Sequence, residues 1–380
     1  MYRLTRYLYE LSEIKGNIIM ALLNKDNEDA LFWVFEYYYS GYPYETTNFI
    51  IQIYYDFYYV LNPTFEKYMF VQLKKILLEN EYEELALFIK LIIDNLIFRP
   101  YTLDTFMLRN MGLQFDINFD EIEDVNKEIV SLLMEQDNYV YMSTIIMQCD
   151  KYTDVKEIEK LHSEVMDRVG KHIKINKNVK MKETNALLEK CYTYDCILKR
   201  TIIIAKIINY YSLKENKKMH RSVYIENDIN KQLEELNMYK TKCPTTLKDV
   251  AKYATNKYDF IGIFRLERFK EENENYKEKY LTNWEYYAYD TPYWTLIFDL
   301  YQGYKDDKNK KIIFRDEENM DEFYETISCF PDESSKEIQN KSIGKIENKC
   351  NLNEFYGKYG SKNVIKIEEE EITDLDLFVI

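Results

Sequence analysis

Apolar residues recur at steps of three and four along the first 100 residues of the chain. In "LYELSEIKGNIIMALLN" they fall at Leu8, Leu11, Ile14, Ile18, Ala21 and Leu22, the stripe of an amphipathic helix. "NKDNEDALFWVFEYYYSGY" then supplies Asp26 or Asn27 as N-cap, Glu28 and Asp29 for the positive first turn, and Gly41 as terminator. Pro43 and Pro63 bracket a third helix, which contains "IIQIYYDFYYVLNP" (residues 50–63). Between Phe49 and Leu61 only Gln52 and Asp56 are strongly polar, and they lie four apart on one narrow strip. A helix apolar nearly all round is a buried one, so Tyr54, Tyr55, Phe57, Tyr58 and Tyr59 are expected in a core rather than on a base-stacking platform.

"NEYEELALFIKLIIDN" (residues 80–95) echoes the second helix: Asn, an acidic pair, Ala and Leu, then bulky apolar residues. Two echoes fall short of the three that a solenoid needs. An array of helical hairpins, HEAT-like or TPR-like in packing, is still the natural reading of this part. Helical patterns continue through "DEIEDVNKEIVSLLMEQ" and "YTDVKEIEKLHSEVMDRV". After a basic break, a long helix is expected from about Glu183 to Leu213, and another over "NDINKQLEELNMYK". Past Pro244 the character changes. "YDFIGIFRLERF" and "KNKKIIFRD" have short β-branched runs that suit strands, separated by helical "NYKEKYLTNWEYYAYD" and "PYWTLIFDLYQGY". The fold class is therefore mainly α: an N-terminal helical-hairpin, solenoid-like array with a smaller α+β C-terminal part and a flexible acidic tail. The expected divisions are 1–170 for the hairpins, 171–243 for the basic stretch and long helices, 244–345 for the α+β part and 346–380 for the tail.

Composition adjusts this picture. The 37 tyrosines stand against nine glycines and six prolines, but Tyr, Ile, Asn and Lys share A/T-rich codons, which discounts the tyrosine count as a functional signal. A net charge of −15 disfavours whole-surface binding to nucleic acid or anionic membranes. Six scattered cysteines without a CxxC pair point to core thiols in a reducing compartment. "MYRLTRYLYELSEIKG" has charges throughout and no small-residue cleavage site, so it is not expected to be a signal peptide. No apolar run reaches the roughly 18 to 20 residues that a membrane span needs. A soluble, cytoplasmic protein is expected.

Two stretches carry a family resemblance: "ELSEIKGNIIMALLNKDNEDALFWVFEYYYSGYPYETTNFIIQIYYDFYYVLNP", and "NWEYYAYDTPYWTLIFDLY" followed by "KKIIFRDEENMDEFYE" and "FPDESSKEIQ". Together they resemble a family of uncharacterised proteins of nucleocytoplasmic large DNA viruses, the mimivirus-like giant viruses. The A/T-rich residue usage agrees with such a source. The resemblance covers most of residues 8–340, and its motifs are packing patterns without a catalytic signature. It implies a viral origin and a setting in the host cytoplasm or virus factory, leaves packaging in the virion open, and assigns no functional residue.

Catalytic motifs are missing. There is no GxxxxGK[ST], GxGxxG, GxSxG or HExxH, and His162, His172 and His220 have no ligand spacing, so no catalytic, cofactor-binding or metal-binding residue is assigned. "DTPYW" (Asp290–Trp294) reads as a helix cap sooner than as a pocket loop. Two charge anomalies remain. "RVGKHIKINKNVKMK" places Arg168, Lys171, Lys174, Lys177, Lys180 and Lys182 together with no acid, a pattern that can track phosphates or face the chain's own carboxylates. In the tail, Val364, Ile365 and Ile367 precede four glutamates, Glu368 to Glu371, like a SUMO-interacting motif that adds a strand to a sheet edge. "DLDLFVI", with Leu375, Leu377 and Phe378, resembles the acidic, aromatic-ended tails of some single-strand-binding proteins. The leading reading is a non-enzymatic viral scaffold or adaptor that binds protein partners through helical faces and this tail. A nucleic-acid-binding accessory factor using residues 168–182 is the first alternative, and an enzyme without a recognised motif is the second.

Overall fold

The structure is a computed structural model that describes residues 3–79, 82–154, 156–157, 160–161, 163–165, 167, 196–214, 223–224, 228–241, 258, 260–267, 276–327, 335–343 and 350–380. The class is mainly α, with a single two-stranded sheet among the described residues. The N-terminal part holds α1 (Leu11–Leu23), α2 (Asn27–Tyr39), α3 (Pro43–Ile53), α4 (Phe65–Glu79), α5 (Tyr82–Phe98) and α6 (Asp104–Gly112). The local signals act as expected. Asp26 caps α2 by accepting from the Asp29 N–H, Pro43 opens α3, and Gly41 turns the chain at φ +97°. A Cβ at Gly41 would lie 2.5 Å from Pro292 Cβ, so both the backbone angle and the close approach require glycine there.

Helices α1 and α2, and α2 and α3, pack as consecutive pairs, while α5 lies against α1, α2, α3 and α4. The hairpins therefore close around α5 instead of extending as a linear stack in which each unit meets only its neighbours. Helix α3 runs straight into a π-helical turn, Tyr54–Tyr58, closed by the Tyr59 N–H donating to Tyr54 O at 2.8 Å. All five rings from Tyr54 to Tyr59 are buried: Tyr54 meets Tyr55, Tyr59 and Phe65 edge-on, Phe57 stacks on Phe106, and Tyr58 meets Tyr101 edge-on. The stacking-platform alternative is thereby excluded for these rings.

Helices α7 (Val125–Ser131) and α8 (Tyr139–Gln148) follow, and α8 packs along α6. Helix α9 (Cys196–Lys214) lies against α6, α8 and the π turn, and α10 (Ile229–Thr241) against α2 and α5. In the C-terminal part come α11 (Tyr276–Ala288), α12 (Pro292–Leu300), the antiparallel hairpin β1 (Gly303–Asp306) and β2 (Lys311–Phe314), then α13 (Glu317–Thr326) and α14 (Lys336–Ile343). The strand expected in "KNKKIIFRD" is β2. "YDFIGIFRLERF" instead forms a 3-10 turn, Ile261–Ile263, and a one-residue parallel bridge between Phe264 and Phe378. Trp284, Trp294, Phe298, Phe314 and Phe323 form the aromatic centre of this part.

The chain closes with α15 (Leu352–Tyr359) and α16 (Glu369–Thr373). The segment expected to be a flexible tail is packed into the same core as the N-terminal helices. Phe378 is wholly buried, with its ring 4.8 Å from Phe106 and 5.8 Å from Phe355. One apolar cluster runs from Leu4 to Phe378. No helix among the described residues is long and apolar enough to cross a membrane.

Candidate functional site

Arg168, Lys171, Lys174, Lys177, Lys180 and Lys182, the candidate nucleic-acid residues, lie outside the described residues, as do His162, His172 and His220. The candidate partner-binding tail is described, and the structure uses it differently. Its main chain is held by polar side chains at both ends of α6. Asp104 accepts from the N–H groups of Val364 at 2.8 Å and Ile365 at 3.1 Å. Arg109 donates to Val379 O at 3.0 Å, and Asn110 accepts from the Val379 N–H at 2.6 Å. Just past the helix, Gln114 accepts from the Asp376 N–H at 2.6 Å. On the opposite side the Phe378 N–H donates to Ile263 O at 2.8 Å, and its carbonyl accepts from the Arg265 N–H at 2.6 Å.

The side chains follow the same logic. Ile365, Ile367, Leu375 and Phe378 are buried, Val364 and Leu377 are half-buried, and Glu368 and Glu369 are exposed. The tail is corrected from a free partner motif to an internal strap. Asp104 and Asn110 are fully buried, and a buried polar group is costly unless paired, so the strap's main chain satisfies groups that α6 would otherwise leave stranded. A segment whose isoleucines are buried in its own protein does not offer them to another sheet edge.

Two buried ionic clusters involve residues of the π turn and its rings. Arg109 pairs with Asp56 through two bonds of 3.0 Å, Nε to Oδ1 and Nη2 to Oδ2, and Gln52 donates to Asp56 Oδ2 at 2.9 Å. Lys206 of α9 donates to Glu66 at 2.8 Å, and Tyr55 OH reaches the same carboxylate at 2.6 Å. Burial, with Glu66 alongside, holds the Tyr55 hydroxyl far above its ordinary pKa, and so in its neutral donor form. These clusters join helices distant in sequence; their dense pairing and burial suit holding the fold together.

The surface that stands out was not singled out in the sequence. On α12, Trp294 and Phe298 are buried while Leu296 and Leu300, one turn apart on the opposite side, are 71% and 68% exposed. Pro292, one turn before Leu296 on the same face, is also exposed. The helix is firmly seated beneath this stripe. Thr291 Oγ1 donates to Leu4 O at 2.7 Å, Trp294 Nε1 to Thr5 O at 2.9 Å, and the Tyr293 N–H to Ser40 O at 3.2 Å. The signal was present as "PYWTLIFDLYQGY", where apolar residues occupy both faces of a nine-residue helix. Such a pattern marks either full burial or one face kept for a partner. No protein-family model, curated protein or solved structure matches this chain.

Proposed function

We propose that the protein is a non-enzymatic adaptor, a viral scaffold on the resemblance described above, which binds another protein through the outer face of α12. The observation that carries this reading is the stripe Pro292–Leu296–Leu300: apolar, spaced one turn apart, and mounted on a helix whose other face is locked into the fold. Fully burying a leucine contributes about 1.5–3 kcal/mol, so two exposed leucines withhold a contribution that a partner surface would recover. Contiguous exposed apolar stripes mark interaction sites, whereas single exposed apolar residues do not. Rigid seating favours binding, because little conformational freedom is lost on association. The setting that goes with this reading is the host cytoplasm or virus factory.

The test is site-specific photocrosslinking in cells that express the protein. Benzoylphenylalanine is placed at position 296 or 300, and at the exposed hairpin-turn position 308 as control. The reading expects the same discrete adduct from positions 296 and 300 and none from 308. Absence of an adduct at both α12 positions, or equal labelling at 308, contradicts it.

A further inference from the structure

Helix α10 is seated unlike the helices it rests on. From Asn230 to Lys240, Leu236 alone is buried, whereas α5 buries Leu85, Phe88, Ile89, Ile92, Ile93 and Leu96 along its length. Tyr239 adds a stacked contact, its ring 5.1 Å from that of Phe35 on α2. Beside these contacts lies a half-open gap of about 310 Å³, lined by Leu233 and Leu236 of α10, by Tyr38 and Tyr39 of α2, and by Ala86 of α5.

Charge fastens the helix at two places. Arg6 donates from its Nη atoms to Tyr239 O at 2.8 Å and to Lys240 O at 3.3 Å, where the C-terminal end of α10 carries its negative pole. Lys90 of α5 pairs with Glu235 of α10 at 2.8 Å. Both cations are buried, and each has a second carboxylate on the fixed side of the contact. Arg6 Nε donates to Glu36 Oε2 of α2 at 2.9 Å, and Lys90 Nζ to Asp94 of α5 at 2.7 Å. The Arg6 main chain is held as well, its N–H donating to Ser40 Oγ at 3.0 Å. Breaking a buried ion pair is costly chiefly because it strands the remaining charge. Here the departure of α10 strands neither cation, since Glu36 and Asp94 stay behind. Glu235, whose side chain is already 36% exposed, passes into water.

We infer that α10 is a detachable cover, latched by Arg6 and Lys90, which opens as a unit while α2 and α5 stay folded and so bares the apolar face of Phe35, Tyr38 and Ala86. An element with few buried apolar contacts opens at a lower free energy than the core beneath it. A helix of thirteen residues is marginal by itself, so α10 also loses its helical hydrogen bonds once released. The inference concerns a different face from the α12 stripe and does not depend on the partner-binding reading.

Hydrogen exchange followed by mass spectrometry tests it on the full chain. Peptides within residues 230–240 should be at least about a hundredfold less protected than peptides within 85–97, because sub-global opening releases α10 alone. Raising sodium chloride from about 50 to about 500 mM should speed exchange in α10 at least about twofold and leave α5 unchanged, since the latch is screened. Glu235→Gln should speed it about fivefold, the worth of one partly exposed ion pair. Arg6→Lys keeps a charge for Glu36 but loses the planar fork that reaches the two carbonyls, and should act in the same direction. Should Arg6→Lys fail to fold, Glu235→Gln, at a half-buried position, makes the test alone. The inference is overturned if α10 is as well protected as α5, or if either salt or Glu235→Gln leaves its exchange unchanged.

Discussion

Replacing Phe378 with alanine tests the strap most sharply. A free acidic tail and a packed strap predict opposite outcomes for this residue. Its ring is wholly buried and meets Phe106 edge-on at 4.8 Å and Phe355 at 5.8 Å. A buried phenylalanine hides about 200 Å². At about 25 cal/mol per Å² that is worth about 5 kcal/mol, part of which the alanine methyl group retains. Phe→Ala substitutions in cores cost about 3–5 kcal/mol, cavity included. The two ring contacts place Phe378→Ala in the upper half of that range, since each aromatic pair adds about 0.5–1.5 kcal/mol beyond area. Asp376→Ala, two residues away and exposed, is the control and should stay within about 0.5 kcal/mol of the parent. Urea unfolding followed by far-ultraviolet circular dichroism reads both. A Phe378→Ala change below about 1 kcal/mol refutes the packed strap.

Other outcomes follow from the buried groups. Arg109→Met leaves Asp56 charged and buried, and should cost about 3–5 kcal/mol in the same urea assay, whereas the double substitution Asp56→Leu with Arg109→Met should recover much of the loss. Gly41→Ala forces a side chain onto φ +97° and against Pro292, and should cost at least about 1–2 kcal/mol, read as a lowered Tm. Burial raises Tyr101 from 10.0 to about 12 and also holds Tyr37, Tyr54, Tyr55 and Tyr58 above the ordinary value. A raised phenol keeps its proton in the folded state after the unfolded chain has lost it, so stability is full below pH 10 and falls as the pH climbs from there through 12. Absorbance at about 295 nm should therefore show a set of tyrosines that ionise only with unfolding, and all of them near the ordinary value of about 10 in urea. A single transition near that value in the folded protein would contradict this.

The sequence made the helices legible because their signals are local. Asp26, Pro43 and Gly41 each act within a few residues, and the burial of Tyr54 to Tyr59 followed from an apolar surface on nearly every side. What it hid were pairings at long range. Asp56 looked like the end of a thin polar strip, and its partner Arg109 is 53 residues away. The tail misled for the same reason. Most of its acids are exposed and they dominate the composition, while the buried Ile365 and Phe378 make sense only beside α6, some 260 residues earlier. The π turn at Tyr54–Tyr58 leaves no composition signal, since the same residues suit an ordinary helix. On α12, apolar residues on both faces were visible, but which face the core would take depended on docking against Leu4, Thr5 and Ser40.

The adaptor reading stands or falls on the α12 stripe. Its most direct measurement is the affinity of the crosslinked partner for the parent chain and for the double variant Leu296→Glu with Leu300→Glu, by interferometry with matched circular dichroism. Losing two leucine contacts at about 1.5 kcal/mol each corresponds to weakening of about a hundredfold or more. The account predicts that loss with the fold unchanged. An affinity within about twofold of the parent would contradict it.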